Sequence, residues 1–404
     1  MHLTTLLLEQ FRCYQRQYLE LPEQGIRLAG SNASGKTSIV EGIRMLSMMK
    51  SARASAEREL INWTSNQEYG LPPYSRLQGT VQQSSGTETR IDITLSVDPN
   101  RPSHTRKQIK VDGQPRRAID AVGYLKTVLF EPEDMELVLG SPSVRRRYLD
   151  VAISTLDSTY LRLLSQYGKI LEQRNGLLRS LRELSRSARQ SRSGELDYWD
   201  SELINRAAYI VAARQRYIAS IGPPLDDAFR ALLGEEYELG ATYAQSLSDP
   251  GRSASSVLGK ATNDPLDDQR VVMETLRHEL EQRREEEFAR GVTAFGPHRD
   301  DVQLLLDDRA LESFGSRGQQ RMAVVALKLS EVEAVRATTG SPAVLLLDDV
   351  LSELDESRQR RLLKRVSGLG AQVVVTATER ALIDVEPLQD LPMYTVSGGE
   401  ARLS

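Results

Sequence analysis

The stretch Gly30-Ser31-Asn32-Ala33-Ser34-Gly35-Lys36-Thr37 decides how the rest of the chain is interpreted. Its spacing, G-x-x-x-x-G-K-T, is typical of a P-loop, in which backbone N–H groups surround the phosphates of a nucleotide. In such a loop the Lys36 ammonium reaches the β- and γ-phosphates, and the Thr37 hydroxyl binds Mg²⁺. Residues 25–29 predict a strand before the loop and residues 38–46 predict a helix after it, so a helix N-terminus points at the anion. A Gly/Ser turn that matches the motif by chance is the alternative. Ala33 stands where many such loops have glycine, and we expect it to be tolerated only if its φ is negative.

The composition is that of an ordinary globular protein. The chain has 404 residues, 40% of them hydrophobic and 27% charged, which predicts two or three domains. No apolar run is long enough to span a membrane, and the N-terminal residues predict a strand rather than a signal peptide. The single cysteine, Cys13, excludes an internal disulfide, and we expect a cytoplasmic protein. Because the net charge is -4, any DNA-binding surface must be a local basic patch.

Hydrophobic patterning along the chain predicts an α/β protein with a helical insertion. Residues 76–81, 89–97 and 107–111 alternate at period two, as antiparallel strands do, and Asp112-Gly113 predicts a hairpin turn. Residues 156–221 have helical spacing with a polar turn at 185–194, which predicts an antiparallel helical arm that Gly222-Pro223-Pro224 ends. Residues 266–290 predict a charged helix whose charges form a solvated face. We therefore expect residues 1–130 and 291–404 to form the two parts of one ATPase head, and residues 131–290 an inserted arm domain.

The last third of the chain supplies the second half of the nucleotide site. Residues 343–347 are continuously apolar, as a buried central strand requires, and Asp348-Asp349 follows directly. Asp348 is the acid expected to hold Mg²⁺, and Asp349 could orient or deprotonate the attacking water, with Lys36 as the other catalytic group. The alternative is that Asp348-Asp349 is an ordinary surface turn after a strand, without a role in metal binding. More than 300 residues separate Lys36 from Asp348, so a large insertion must interrupt the fold.

Two further segments resemble motifs of ABC-type ATPases. Ser316-Arg317-Gly318-Gln319-Gln320 is similar to the signature motif, which binds the γ-phosphate held by a second subunit. Ser352-Glu353-Leu354-Asp355 is similar to the D-loop that follows the acidic strand. The signature is weak by itself, but the order P-loop, signature, acidic strand and D-loop is that of the ABC superfamily.

Longer segments resemble the RecF family of bacterial recombinational-repair ATPases. They are residues 132–150, with PEDMELVLGSPSVRRRYLD, residues 346–355, with LLDDVLSELD, Phe11-Arg12-Cys13-Tyr14, and residues 296–301, with GPHRDD. The likeness runs essentially from end to end. The chain departs from the family pattern at Ala33, at Cys13, where the family has asparagine, and in a somewhat greater length.

The resemblance implies an ABC-type head with an antiparallel β subdomain and an inserted helical arm, and it implies ATP and Mg²⁺ as cofactors. RecF-like proteins dimerise on ATP, bind gapped or junction DNA, and help to load RecA with RecO and RecR, in replication restart and SOS induction. Slow, DNA-stimulated ATP hydrolysis would release the homodimer. The same resemblance implies that Ser316, Gly318 and Gln319 act in trans, that Glu131 reaches Mg²⁺, and that Thr376 or Thr378 replaces the switch histidine.

Clustered cations give candidates for DNA contact without sequence specificity. They lie around the predicted β-hairpin and at the start of the helix after Pro142: Arg106, Lys107, Lys110, Arg116, Arg117, Arg145, Arg146 and Arg147. Ordinary solvated arginines are the alternative for each, and Arg145–Arg147 could instead pair with Glu133 or Asp150. His298 could be a hydrogen-bonded structural residue or part of a DNA or subunit interface.

Two other classes of ATPase share a P-loop but differ from this chain elsewhere. The nucleotide-binding subunit of a transporter lacks the helical arm and the 132–150 segment. A nuclease of the overcoming-lysogenisation type would carry an added acidic nuclease domain, for which we expect no room in this chain.

Overall fold

The computed structural model describes residues 1–65, 72–233, 237–247 and 265–404. Contacts divide them into two units, the first made of residues 1–134, 228–233 and 324–404, the second of residues 135–227, 237–247 and 265–323. The expected domain boundary at 290/291 differs from this division. Residues 291–323 belong to the second unit, where strand Asp301–Leu306 pairs with strand Leu239–Ala244.

The strands are β1 (His2–Phe11), β2 (Tyr14–Glu20), β3 (Gly25–Ala29), β4 (Tyr74–Gln82), β5 (Glu88–Asp98), β6 (Arg101–Val111), β7 (Gln114–Arg116), β8 (Thr127–Phe130), β9 (Leu239–Ala244), β10 (Asp301–Leu306), β11 (Arg309–Ala310), β12 (Val344–Asp348), β13 (Val373–Ala377), β14 (Met393–Ser397) and β15 (Glu400–Leu403). The α-helices are α1 (Lys36–Met48), α2 (Ala118–Ala121), α3 (Glu136–Leu139), α4 (Pro142–Leu156), α5 (Ser158–Arg182), α6 (Arg186–Arg192), α7 (Asp197–Leu233), α8 (Pro265–Arg290), α9 (Leu311–Phe314), α10 (Arg317–Thr339) and α11 (Glu356–Gly368). Short 3₁₀ helices cover Glu57–Leu60, Pro132–Met135, Ser193–Leu196, Leu351–Glu353 and Arg380–Leu382. Within the described residues no helix combines the length and apolar character that crossing a membrane requires.

The first unit contains a mixed sheet in the order β15-β14-β3-β13-β12-β8. Strand β3 pairs in parallel with β13 and β14, and β12 pairs in parallel with β13 and β8. Strands β3, β12 and β13 are buried at every position, as their largely apolar sequences predict. The exception in β3 is Arg27, whose guanidinium donates to the Leu391 carbonyl oxygen and to Asp384. Because parallel strands end at one edge of the sheet, the residues after β3, β8, β12 and β13 lie together there.

The second sheet of this unit is antiparallel, in the order β2-β1-β4-β5-β6-β7. The period-two prediction is confirmed, since β4 alternates strictly between buried and half-buried residues. The hairpin between β6 and β7 is also confirmed, with φ of 50° at Asp112 and 78° at Gly113. Helix α1 contacts strands of both sheets, and the same cluster of buried side chains joins them. This packing fixes the helix that follows the P-loop.

The second unit is mainly helical, with the small sheet β11-β10-β9. Helices α5 and α7 run antiparallel, because Tyr160 contacts Arg214 while Arg174, further along α5, contacts Asp200, earlier in α7. The prediction that the prolines end α7 is wrong. The helix continues through Pro223 and Pro224 to Leu233, because their fixed φ suits a helix and the residues beyond them, including Leu225, Phe229 and Leu232, are fully buried.

Helix α8 also differs from expectation. Its charges were predicted to form a solvated face, but Asp268, Glu279 and Glu287 are at most 4% exposed. Glu287 receives both hydrogen bonds of a bidentate pair with Arg174, at 2.7 and 3.0 Å. The buried Glu287 carboxylate is therefore compensated by an arginine of α5, and Glu279 by Arg283 of its own helix.

Candidate nucleotide-binding site

The P-loop lies between the end of β3 and the start of α1, as predicted. Its backbone is tightly bent, with φ of 61° at Ala33 and 117° at Gly35. The expectation of a negative φ at Ala33 is wrong. A left-handed alanine costs on the order of 1–2 kcal/mol, and such strain is typical of backbone that is held for a function. At Gly30 a Cβ would lie 2.3 Å from the Val396 carbonyl oxygen, so no larger residue fits there.

Lys36 turns its side chain back over the loop. Its Nζ donates to the carbonyl oxygens of Gly30 at 2.6 Å and Ser31 at 2.9 Å. Burial lowers the pKa of Lys36, and the carboxylates of Asp349 and Asp348 oppose this shift. The ammonium therefore lies inside the curve of the loop, next to the two acids that end β12.

Asp348 is the centre of the second half of the site. Its Oδ1 accepts hydrogen bonds from Thr37 Oγ1 at 3.2 Å and Thr376 Oγ1 at 2.9 Å. These contacts follow from the sheet, because Asp348 lies opposite Thr376 in the β12–β13 register. Burial raises the pKa of Asp348, while the two threonine hydroxyls and Arg53 stabilise its ionised form. The structure therefore brings together Thr37 and Asp348, which are 311 residues apart in the sequence.

Asp349 follows the end of β12 in a left-handed conformation, with φ of 55°. Its backbone N–H donates to Thr376 Oγ1 at 3.0 Å. Its Oδ1 is buried and has no hydrogen-bond partner among the described residues. A buried acceptor without a partner is costly, so the site has an acceptor available for a ligand or water.

The residues expected to form the switch and the D-loop lie in the first unit, near the end of β13 and after β12. Thr376 is fully buried and holds Asp348, whereas Thr378 is half-buried just beyond the end of β13. Ser352 donates to the Asp349 carbonyl oxygen at 2.7 Å. Asp355 is the N-cap of α11 and accepts from the Arg358 backbone at 2.9 Å.

Glu131 lies at the same edge of the sheet, directly after β8. Phe130 is opposite Leu347, so Glu131 and Asp348 end neighbouring strands. Arg53 contacts both: its Nη2 lies 2.8 Å from Glu131 Oε2 and 3.3 Å from Asp348 Oδ2. No motif points to Arg53, because it lies in an irregular polar segment after α1.

Two further contacts escaped prediction. Tyr14 donates its hydroxyl to the Gly35 carbonyl oxygen at 3.0 Å, and burial raises the pKa of this phenol above its usual range. Arg12 forms a bidentate pair with Glu41 of α1 at 2.7 and 2.8 Å. The Phe11–Tyr14 motif was recognised, but the partners of Arg12 and Tyr14 lie too far along the chain for spacing to identify them.

The signature segment lies in the second unit, at the start of α10. The Ser316 backbone N–H donates to Gln319 Oε1 at 2.8 Å, and the Gln319 N–H donates to Ser316 Oγ at 3.3 Å. This reciprocal pair is a capping box. Ser316 is exposed and Gly318 half-buried, so the start of the helix is accessible.

The candidate DNA-binding cations on the β-sheet are mostly paired. Arg106 contacts Asp98 at 2.8 Å, Lys107 contacts Glu57 at 2.7 Å, and Arg117 contacts Asp120 at 2.7 Å. Lys110 is half-buried and Arg116 exposed. Arg106 and Arg117 remain 72% and 79% exposed despite their pairs, so these weak ion pairs leave both side chains accessible.

The arginines of α4 are held more firmly. Arg145 forms a bidentate pair with Asp301 at 2.8 Å, so for Arg145 the suggested pairing with Glu133 or Asp150 is wrong. Asp150 of α4 instead pairs with Arg214 of α7 at 2.7 Å. Arg146 donates to the Asp300 carbonyl oxygen at 2.8 Å, and Arg147 is exposed.

His298 is a half-buried, hydrogen-bonded residue of the second unit. Its Nδ1 lies 2.6 Å from the Tyr167 hydroxyl, and burial lowers its pKa to about 4. This arrangement favours the structural role among the two that the sequence left open.

The first-unit residues fit a Mg²⁺–nucleotide. Thr37, Asp348 and Glu131 offer oxygen ligands, which Mg²⁺ prefers, and the buried Ser34 hydroxyl has no partner among the described residues. Within those residues no cluster of three or more His, Cys, Asp or Glu side chains could hold a metal by itself. A magnesium ion bound mainly through water and phosphate, with few protein ligands, is consistent with this small set.

Comparison with known proteins identifies the relatives of the chain. A family model described as RecF/RecN/SMC N terminal domain matches residues 2–394. The DNA replication and repair protein RecF of Thermomicrobium roseum is 44% identical over 395 residues, which cover 98% of each chain. The protein of the same name from Halalkalibacterium halodurans is 34% identical over 403 residues, which cover 100% of this chain and 99% of the relative.

Solved structures agree with the family match. A structure of the recombination mediator protein RecF-ATP in the RecFOR pathway superimposes with a TM-score of 0.82 at 30% identity, covering 100% of this chain and 97% of the other. An Smc head bound to the C-winged helix domain of ScpA has a TM-score of 0.54 at 13% identity, covering 100% of this chain and 97% of that one, and so shows the fold alone. The expectation of an α/β, ABC-type ATPase head with an antiparallel sheet and a helical insertion is thus confirmed. The chain belongs to the RecF family.

Proposed function

We propose that this chain is an ATP-dependent DNA-binding protein of recombinational repair. The observation that carries the proposal is the convergence of Lys36, Thr37 and Asp348 at one edge of the sheet. Relatives at 34–44% identity are named DNA replication and repair proteins, and related structures are named as RecF with ATP in the RecFOR pathway. These names support the biological setting, which we place in the bacterial cytoplasm.

The chemistry proposed for the site follows from the positions of its groups. Residues 30–37 bind the phosphates through backbone N–H groups, and Lys36 supplies a positive charge at the β- and γ-phosphates. Thr37, Asp348 and Glu131 hold Mg²⁺, which neutralises charge on the phosphates when it is bound. Asp349 orients the attacking water or accepts its proton, and its buried Oδ1 supports this role. Thr376 positions Asp348 and Asp349 through its hydroxyl.

We further propose that two copies close on ATP. Ser316, Gly318 and Gln319 of one copy contact the γ-phosphate bound by the other, and Ser352 and Asp355 lie in the D-loop that faces the partner. The exposed Ser316 hydroxyl at a helix start supports this assignment. Contacts made only in the closed dimer shift the population towards it, and slow hydrolysis releases it.

The proposed output is a clamp on DNA that carries gaps or single-strand to double-strand junctions. Exposed cations of the β-hairpin and of α4, foremost Arg116, Arg117 and Arg147, supply phosphate contacts without base recognition. RecO and RecR are the proposed protein partners, and assistance in RecA loading, replication restart and SOS induction is the proposed result.

One experiment tests most of this proposal. ATP turnover and DNA binding are measured with duplex, single-stranded and gapped DNA for the wild type and for Lys36→Arg and Ser316→Arg. We expect Lys36→Arg to abolish turnover, and Ser316→Arg to retain nucleotide binding but lose ATP-dependent dimerisation in light scattering. If DNA neither binds in the presence of ATP nor changes turnover, the repair function is rejected. If Ser316→Arg still dimerises, the signature assignment is rejected.

A further inference from the structure

Arg53 lies on a loop whose conformation is fixed from both sides. Ser51 Oγ accepts from the backbone N–H groups of Arg53 and Ala54, both at 3.0 Å, and donates to Glu41 Oε1 at 2.6 Å. Glu41 is in turn paired with Arg12. The loop is therefore attached to helix α1, which follows the P-loop. These hydrogen bonds fix the backbone position of Arg53.

The Arg53 guanidinium meets the carboxylates proposed to hold Mg²⁺. It contacts Glu131 at 2.8 Å and Asp348 at 3.3 Å, and Glu133 lies 3.8 Å away. The Asp348 side chain is only 4% exposed, and such a buried carboxylate needs a counter-charge. Burial acts to lower the pKa of Arg53, but Glu131 and Asp348 outweigh it and the pKa rises.

The two oxygens of Asp348 have different partners. Oδ1 accepts from the hydroxyls of Thr37 and Thr376, whereas Oδ2 faces Arg53. A cation that approaches Asp348 through Oδ2 must share that oxygen with a guanidinium that is already there. Two positive charges at one oxygen repel each other, so occupancy by one weakens occupancy by the other.

We propose that Arg53 is the resident counter-ion of Asp348 and Glu131 and competes with Mg²⁺ for these two carboxylates. Glu133, which is 69% exposed, offers the guanidinium an alternative partner on the same side. Arg53 thereby sets the Mg²⁺ concentration at which the site accepts a magnesium-bound nucleotide. This inference rests on the proposed nucleotide site.

The test is the Mg²⁺ dependence of nucleotide binding, without DNA and without turnover as a readout. Binding of a fluorescent, non-hydrolysable ATP analogue is titrated with MgCl₂ for the wild type, Arg53→Gln and Arg53→Lys. Arg360→Gln is the matched control, because Arg360 is an exposed arginine of the same unit that pairs with Glu356. For Arg53→Gln we expect half-maximal binding at a Mg²⁺ concentration roughly two- to fivefold lower, the effect of removing a partly exposed ion pair. Arg53→Lys, which keeps the charge, should stay closer to the wild type.

A second measurement keeps this inference separate from the proposed function. With MgCl₂ alone, the thermal midpoint of Arg53→Gln should rise more than that of the wild type, because its carboxylates lack a competing cation. An unchanged or higher Mg²⁺ midpoint for Arg53→Gln overturns the counter-ion role. Weaker binding at saturating Mg²⁺ with an unchanged midpoint also overturns it, since Arg53 would then contact the nucleotide. If the wild type binds no nucleotide at any Mg²⁺ concentration, the proposed function fails, while the MgCl₂-alone measurement still decides the role of Arg53.

Discussion

Thr376 shows how much one hydroxyl can organise at the residue scale. It donates to Asp348 and accepts from the Asp349 N–H while fully buried. Thr376→Val keeps the shape of the side chain but removes one hydrogen bond from the Asp348 carboxylate and one from the Asp349 N–H. We expect a loss of about 1–3 kcal/mol in the free energy of unfolding, measured by urea titration.

Two substitutions control that measurement. Thr376→Ser keeps the hydroxyl and should recover most of the stability. Thr378→Val, at a half-buried residue beyond the strand, should have a smaller effect. Equal losses for Thr376→Val and Thr378→Val would show that the Thr376 hydroxyl does not hold the two acids.

His298 makes the stability of the second unit depend on pH. Burial lowers its pKa from 6.5 to about 4. A depressed histidine pKa contributes stability that is complete above pH 6.5 and is lost as the pH falls towards 4, because the unfolded chain takes up the proton first. Asp300 acts in the opposite sense, since burial raises its pKa to about 6 and its contribution declines as the pH rises from 3.8 to 6.

The difference between the wild type and His298→Gln isolates the histidine, because Asp300 contributes to both proteins. At pH 7 the wild type should be the more stable in urea unfolding. By pH 4.5 that advantage should shrink by on the order of 2 kcal/mol, through the loss of the histidine contribution. A difference that is the same at both pH values would contradict a lowered His298 pKa in the folded protein.

At the scale of elements, Arg174 joins helices α5, α7 and α8. It is fully buried and contacts Asp200 at 2.8 Å, Glu287 at 2.7 Å and Thr293 at 2.7 Å. Arg174→Met would leave the buried Glu287 carboxylate without its arginine, whereas Asp200 would keep its pair with Arg284. We expect a loss of about 3–5 kcal/mol in unfolding free energy from the unpaired Glu287. Arg206→Ala, which removes an ion pair within α7, should cost less than about 1 kcal/mol. Similar losses for the two variants would mean that the buried triad is not a junction of the helices.

Helix α11 allows the capping and D-loop roles of Asp355 to be separated. Asp355 caps the helix through its side chain, so Asp355→Ala should lose about 1 kcal/mol of stability, and Asp355→Asn should keep the cap. Circular dichroism melts measure this effect. If the carboxylate acts across the proposed dimer, both variants should lower ATP-dependent dimerisation. If Asp355→Asn dimerises normally, the Asp355 side chain acts as a helix cap and its charge has no role in the dimer.

At the scale of the whole molecule, the proposed DNA binding requires a local basic surface, because the chain has a net charge of -4. Each phosphate contact contributes about 0.9 to the slope of log K against log salt. The double variant Arg116→Gln/Arg117→Gln should therefore reduce the slope by roughly one to two and weaken binding equally for unrelated sequences. Fluorescence anisotropy at several salt concentrations measures both, with Arg402→Gln as the control for an exposed arginine. An unchanged slope would place the DNA surface elsewhere.

The sequence predicts most of the sheets and the core of the site. Period-two alternation identifies the antiparallel strands, and uninterrupted apolar runs followed by acids identify β12 and the position of Asp348. Features that depend on distant partners are missed: the left-handed Ala33, the buried charge of Glu287, and the role of Arg53. The continuation of α7 past Pro223 is missed because burial beyond the prolines outweighs their local preference.

The order of the strands also has a consequence for synthesis of the protein on the ribosome. Strand β3, which carries the P-loop, has β13 and β14 as its neighbours, and both come from the last part of the chain. At about 5–20 residues per second, the 311 residues from Thr37 to Asp348 take roughly 15–60 s to translate. For that time the nascent chain holds β3 without its two neighbouring strands and lacks a complete candidate nucleotide site, a state in which unpaired strand edges favour aggregation.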